Sequence, residues 1–219
     1  MTAATALHLA DTRDAAGLGT FLTRLLRYDK AAAVRLRTAD EALAVFARLP
    51  LGESGPLVIR TALLARTEPP PEPLDRTVSA GQLLDAIEPE DAGAELRLPP
   101  PITGPAWAGL LPPRTSWEHV ADLPTGPLSA AVQAAVTEFR RESEDPDALA
   151  EAIWSRQVHP SGLTLRALHA AHLVGLLQQA DTVALHRHPA WLRLTAPRGY
   201  VIIRRAPAIG AGLGLTPTR

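Results

Sequence analysis

The sequence predicts an α+β protein with a mixed N-terminal block and a helical C-terminal block that ends in a β-hairpin. Three observations support this fold class. In the first 98 residues the hydrophobic pattern alternates between the helical period and the period of two that is typical of strands. Eight prolines then fall between Pro99 and Pro127, and three helical segments and a period-two region follow. We therefore expect an acidic α/β domain at 1–98, a packed proline-rich connector at 99–127, and a helical domain with a basic hairpin at 128–219.

The first block begins with a short edge strand at 5–10 and a helix capped by Asp11 or Asp14. Apolar residues with the spacing of one helical face predict the buried side of this helix: Leu18, Phe21, Leu22 and Leu25. The period of two then predicts three strands, at 33–37, 43–49 and 57–64. Their connections are too short for parallel crossovers, so the strands form an antiparallel meander.

The same block closes with a strand at 74–78, a short helix at 81–87 and a strand at 94–98. Ser79 to Gln82 has the form of a capping box that opens the helix. This element order, with the capped turn into Leu83-Leu84-Asp85-Ala86-Ile87, resembles one repeat of a DNA sliding clamp over roughly residues 5–98. The resemblance implies a clamp-repeat-like fold for this block.

The connector is too rich in proline to supply a helix interior or a regular ladder of hydrogen bonds. It nevertheless carries Trp107 and Trp117, which are half of the four tryptophans in the chain. One interpretation is that these rings pack across the seam between the two halves. The other is that they form an exposed aromatic segment that docks a partner.

The last third contains three predicted helices, at 127–142, 145–156 and 163–179. Strands at 183–185 and 191–194 follow, and a turn at Ala196–Gly199 leads into a strand at 200–204. Helices followed by a strand and a hairpin are the order of a winged helix, and also of many other small α+β domains.

Charge differs between the two parts of the chain. The totals, 22 basic and 23 acidic residues, give no global argument for a polyanionic partner. However, residues 151–219 hold eight arginines and two acids, a balance of +6, which leaves −7 for the first 150 residues.

A basic hairpin is typical of a nucleic-acid-binding wing, and residues 183–205 are the candidate region. The alternative is that these arginines form a solvated face or pair with the acidic half. The candidate phosphate-contacting residues are Arg166, Arg187, Arg193, Arg198, Arg204 and Arg205.

Five of the seven histidines lie between residues 159 and 188. His169 and His172 are three apart on a predicted helix, and His186 and His188 are two apart on a predicted strand, so each pair shares one face. Four imidazoles from two neighbouring elements would suit Zn²⁺ or Ni²⁺. Ordinary surface or partly buried histidines are the competing interpretation.

Other chemistries are excluded by composition. The absence of cysteine excludes disulfides, thiolate metal sites and cysteine catalysis, and the sequence contains no GxSxG, GxxxxGK[ST] or HExxH motif. No apolar run is long enough to span a membrane and no secretory signal is evident, which favours the cytosol of a bacterium. We therefore predict a non-enzymatic binding or scaffold protein without a cofactor, whose partner is another protein. A winged-helix nucleic-acid binder and a histidine-ligated metal protein or enzyme are the alternatives, and the pattern does not predict an oligomeric state.

Overall fold

The structure is a computed structural model, and it describes residues 6–52, 55–66, 73–87, 95–141 and 144–205. Its N-terminal elements follow the predicted order closely. They are β1 (Ala6–His8), α1 (Thr12–Leu26), β2 (Ala33–Ala39), β3 (Ala42–Arg48), β4 (Leu57–Leu63), β5 (Asp75–Ser79), α2 (Ala80–Asp85) and β6 (Glu95–Arg97).

Two predicted caps are formed in this half. The Asp11 carboxylate accepts a hydrogen bond from the Arg13 N–H and begins α1, whose buried residues include the predicted stripe from Leu18 to Leu25. The Ser79 hydroxyl accepts a hydrogen bond from the Gln82 N–H at 3.4 Å and begins α2. Strands β2, β3 and β4 pair as the predicted antiparallel meander, and β5 adds to the free edge of β2.

The C-terminal elements begin inside the connector. They are β7 (Glu118–Pro124), α3 (Thr125–Phe139), α4 (Pro146–Trp154), β8 (Gln157–His159), β9 (Leu163–Thr164), α5 (Leu165–Leu173), β10 (Thr182–His188), β11 (Trp191–Ala196) and β12 (Gly199–Arg204). Short 3₁₀ turns lie at Ala106–Gly109 and Leu176–Gln178.

Several of these elements differ from the predictions. The short pair β8–β9 lies where only a break between two helices was predicted. The connector was expected to lack regular strands, yet β7 pairs with β10. It does so because no proline falls between Pro113 and Pro124, which leaves its backbone donors intact. The third helix was predicted to reach residue 179 but ends near Leu173, because Gly175 takes a left-handed conformation with φ of +81°.

Within the described residues, one eight-stranded antiparallel sheet runs through both halves in the order β5-β2-β3-β4-β12-β11-β10-β7. The predicted hairpin β11–β12 is present, but β12 pairs with β4 and β11 pairs with β10. The hairpin is therefore an interior part of the sheet and does not stand free as a wing, so the winged-helix-like arrangement is not confirmed.

The two faces of this sheet are covered differently. One face, called here the helix face, packs against α1, α3 and α5 and forms the main hydrophobic core, which includes Leu22, Val45, Leu168, Leu185 and Val201. The opposite face, called here the connector face, packs against the connector residues Trp107, Leu111 and Trp117. Among the described residues, the helices are all too short or too polar to cross a lipid bilayer.

Candidate docking site on the connector face

The two halves of the chain join where β4 meets β12. The register runs from Arg60 opposite Gly199 to Leu57 opposite Ile202. The backbones approach so closely that a Cβ added to Gly199 would lie 2.2 Å from the carbonyl oxygen of Ile59. This position therefore accepts only glycine, and the predicted turn at Ala196–Gly199 is also the point at which the halves are joined.

A buried charge cluster reinforces the seam on the helix face. Asp14 lies on α1 and is 7% exposed, and its Oδ1 accepts a hydrogen bond from Arg198 at 2.5 Å. Its Oδ2 accepts from the Leu63 N–H at 3.1 Å. Arg60, 4% exposed, lies 3.8 Å from the same carboxylate and donates to the Arg198 carbonyl oxygen at 2.6 Å. Burial lowers the pKa of Arg60, and the nearby Asp14 carboxylate opposes that shift. An acid of the negative half thus neutralises an arginine of the positive half.

The other candidate phosphate-contacting arginines do not form one surface. Arg187 makes a two-bond ion pair with Glu118, at 2.7 and 3.1 Å. Arg166 pairs with Glu151 and donates to the Leu51 carbonyl oxygen at 3.1 Å. Side chains alternate along a strand, and Arg187 lies two residues after the buried Leu185. Arg187 is therefore on the helix face. The remaining three candidates differ in their surroundings: Arg193 and Arg204 lie on the connector face, and Arg205 is exposed after β12.

The four candidate metal-ligating histidines are divided between the two faces. His169 and His172 belong to α5 on the helix face. The His169 ring stacks on Trp154 with centroids 4.3 Å apart, and burial, with a smaller contribution from His172, lowers its pKa to about 4. His186 and His188 lie on the connector face, where they contact His119 and Trp117. The four imidazoles do not converge, and no group of three or more potential ligands is found in the described part of the chain.

The two connector tryptophans pack across the seam. Together with Leu111 they contact a buried cluster that takes residues from both halves: Phe46, Leu57, Ile59, Trp191 and Ile202. The Trp117 indole N–H donates to the Pro113 carbonyl oxygen at 3.0 Å. Arg35 donates to the Ala108 carbonyl oxygen, and the Ile102 N–H bonds the Thr77 carbonyl oxygen at 2.9 Å. The connector is therefore held to the sheet by backbone and side-chain bonds.

Several depressions open on the described part of the connector face, and two of them are lined in part by Ile202. The first, the tryptophan groove, has a volume of about 290 Å³ and is lined by Leu57, Trp107, Leu110, Trp191 and Ile202 together with Arg48 and Arg204. The second, the arginine pocket, has a volume of about 220 Å³. It is lined by Arg37, Arg114, Arg193, Tyr200, Phe46 and Ile202, among others.

Sequence reasoning did not assign Leu57 or Trp191 to this site. Leu57 and Trp191 begin strands in different halves of the chain, and the two residues are 134 positions apart. The alternating pattern around each residue predicted a strand, but only the pairing of β4 with β12 brings Leu57 and Trp191 together. The sequence offered one indication that Trp191 belongs to a binding site, which is that it follows a turn in an arginine-rich segment.

The fold resembles that of bacterial sliding clamps. Three solved structures illustrate the similarity. A DNA polymerase sliding clamp from Caulobacter crescentus has a TM-score of 0.50 at 13% identity, covering 87% of this chain and 63% of that one. The Caulobacter crescentus pol III beta has a TM-score of 0.56 at 10% identity, with 91% and 65% covered. The DNA polymerase III beta subunit from Thermotoga maritima has a TM-score of 0.56 at 11% identity, with 91% and 64% covered.

The chain spans 63–65% of the length of these clamps, and at such identities the similarity concerns the fold alone. The clamp-like element order predicted for residues 5–98 is thus supported, and the likeness extends into the half that was compared with a winged helix. In sequence, residues 2–109 match a domain of unknown function (DUF8010), and residues 112–208 match a second domain of unknown function (DUF8185). No curated protein matches the sequence.

Proposed function

We propose that this protein is a non-enzymatic scaffold that binds a partner protein in the tryptophan groove, by a segment that combines apolar and acidic side chains. The observation that carries the proposal is an open groove between two tryptophans, with arginines at its edge, on the sheet face that the helices do not cover. The proposal keeps the expectation of a bacterial, cytosolic protein.

The apolar part of the groove supports a hydrophobic anchor. Trp191 is 9% exposed, whereas Leu110, which lines the same groove, is 51% exposed. A leucine or aromatic side chain inserted between them would remove both its own surface and that of Leu110 from water. Tryptophan and arginine are also the residue types that contribute most often to binding energy at protein interfaces.

The charge at the edge supports an acidic partner. Arg204 lies over the Trp191 ring, 5.1 Å from its centroid, and makes no ion pair within the described residues. Among the described residues, the Arg48 side chain donates only to the Gly52 carbonyl oxygen, at 3.1 Å. Both guanidinium groups therefore retain donors for a carboxylate. By contrast, three of the arginines considered for phosphate contact are already paired with acids, and no observation favours the nucleic-acid alternative.

Peptide selection tests this proposal. A random peptide library displayed on phage is selected on the immobilised full chain, and the affinities of enriched peptides are measured by isothermal titration. We expect enriched peptides to place Asp or Glu next to Leu or an aromatic residue. The variant Leu110→Asp should bind them at least about tenfold more weakly, because a carboxylate in the groove opposes both the apolar anchor and the partner's charge.

Leu63→Asp is the matched control, since Leu63 is 60% exposed and does not line the groove. The variant Arg204→Glu should weaken binding, and replacing the peptide acid by lysine should restore it. Failure to enrich any common pattern, or equal binding to the Leu110 and Leu63 variants, would overturn the proposal.

A further inference from the structure

We propose that the arginine pocket binds a small organic anion, with a carboxylate that meets Arg193 and an apolar body that lies against Phe46 and Ile202. This site differs from the tryptophan groove in the residues that line it, because Arg37, Arg114 and Arg193 line only the pocket, although Ile202 lines both. The inference therefore goes beyond the proposed protein docking and does not depend on it.

The central observation is the state of Arg193. Its guanidinium lies over the Trp117 ring at 4.5 Å from the centroid and 5.7 Å from that of Tyr200. Its Nε is buried and has no hydrogen-bond partner in the described part of the chain. No carboxylate of that part lies within ion-pair distance, although eleven ion pairs are formed elsewhere in it. Buried polar groups are nearly always paired in folded proteins, so a guanidinium that lines a cavity and has no acidic partner among the described residues is suited to bind an anion.

Two further arginines bring positive charge to the same cavity. Arg37 and Arg114 both line it, and no acidic residue does. Arg37 shares the carboxylate of Asp75 at 3.2 Å, and Arg114 lies 4.0 Å from a highly exposed Asp40, which is a weak contact. Burial raises the pKa of Tyr200, while Arg193, Arg114 and Arg37 all oppose this rise, so the three charges act on one phenol.

The remaining walls select the rest of the ligand. They are formed by Phe46 and Ile202 from the sheet and by Pro112 and Pro113 from the connector. A purely inorganic anion would leave this apolar surface in contact with water, whereas a planar organic carboxylate would cover it. The flat guanidinium between two rings also favours a planar carboxylate, to which it can donate two parallel hydrogen bonds.

Benzoate is a suitable probe, with benzyl alcohol as its uncharged counterpart and inorganic phosphate as a charged ligand without an apolar body. Binding to the full chain is followed by the NMR signal of the Trp117 indole N–H, assigned with Trp117→Phe. The indole of Trp154, on the helix face, reports non-specific effects. Ionic strength is held constant.

We expect benzoate to shift the Trp117 signal saturably, with an affinity in the millimolar range or better for a ligand of this size. Benzyl alcohol and phosphate should each bind at least about tenfold more weakly. Arg193→Gln should reduce benzoate affinity by a similar factor, and Arg13→Gln, an exposed arginine on α1, should leave it unchanged.

Arg114→Gln gives a second variant if Arg193→Gln does not fold, because the Arg114 side chain is 64% exposed and its loss leaves the packing intact. This variant should weaken benzoate binding to a smaller extent. Equal affinity for benzoate and benzyl alcohol, saturation by phosphate alone, or an unmoved Trp117 signal would each overturn the proposal.

Discussion

The two faces of the sheet are built from the same strands but are covered in different ways. On the helix face, α1, α3 and α5 place continuous apolar stripes on the strands, and residues such as Leu22, Val45 and Leu168 are fully buried. On the connector face, a proline-rich segment covers the sheet at a few anchors and leaves open depressions, among them the tryptophan groove and the arginine pocket.

Hydrogen bonding explains much of this difference. A helix satisfies its own backbone groups and can therefore present an uninterrupted apolar surface. The connector has few internal bonds and is held to the sheet by particular contacts, such as Arg35 to the Ala108 carbonyl oxygen and the Ile102 N–H to the Thr77 carbonyl oxygen. We therefore expect the helix face to contribute more to stability, whereas the connector face carries the two depressions for which we propose ligands.

The largest expected effect concerns the buried charge cluster on the helix face. Asp14→Ala leaves Arg60 buried without a carboxylate, and should lower the free energy of unfolding by about 3–5 kcal/mol. Urea denaturation measures the change. The control is Glu41→Ala, which removes an acid that is 54% exposed and pairs with a highly exposed Arg66. Glu41→Ala should lower the free energy of unfolding by less than about 1 kcal/mol. If both variants lowered it by similar amounts, burial of the Asp14 cluster would not be the cause of its stabilising effect.

A matched pair of leucines compares the two faces directly. Leu185→Ala on the helix face, where the leucine is fully buried, should cost about 2–5 kcal/mol of unfolding free energy. Leu57→Ala on the connector face should lower the unfolding free energy by less, near the lower end of the same range of about 2–5 kcal/mol. The space left by the removed side chain would join a groove that is already open to water. The comparison would fail if Leu57→Ala were the more damaging change in urea denaturation.

The smallest effect concerns the pH dependence of the helix layer. The pKa of His169 is about 4 in the folded protein and near 6.5 when unfolded, so the unfolded chain binds more protons between these values. Stability should therefore fall as the pH is lowered from 6.5 towards 4. Allowing for partial exposure, the loss should be about 1–2 kcal/mol.

His169→Phe keeps a ring for stacking on Trp154 and should remove this pH dependence, as measured by thermal unfolding at several pH values. His8→Gln, at an exposed position on β1, is the control and should retain it. An unchanged pH profile in His169→Phe would show that another group is responsible.

Much of the local structure could be predicted from the sequence because its causes are local. The caps at Asp11 and Ser79, the buried stripe of α1, the three-strand meander and the β11–β12 turn all depend on residues close together in the chain. The opposite charges of the two halves also correctly indicated contact between them, which Asp14 and Arg198 make.

The site could not be predicted in the same way. The two histidine pairs lie on different faces of the sheet, His169 and His172 on α5 and His186 and His188 on β10. The spacing within each pair could not reveal this, because only tertiary packing decides which side of β10 faces α5. The candidate arginines were likewise separated by the alternation of β10 and β11 and by pairing with acids such as Glu118.

By itself, then, the sequence determined the kinds of elements, most of their boundaries, the chemistries that composition excludes and the unequal distribution of charge. The tertiary structure alone decided that β4 pairs with β12, because this contact joins segments about 140 residues apart and depends on the close approach at Gly199. That single pairing merges two predicted domains into one sheet, turns a presumed free wing into its interior, and leaves Arg193 and Trp191 beneath the connector. Long-range pairing of this kind has no local signature, since either strand pattern would suit any complementary edge.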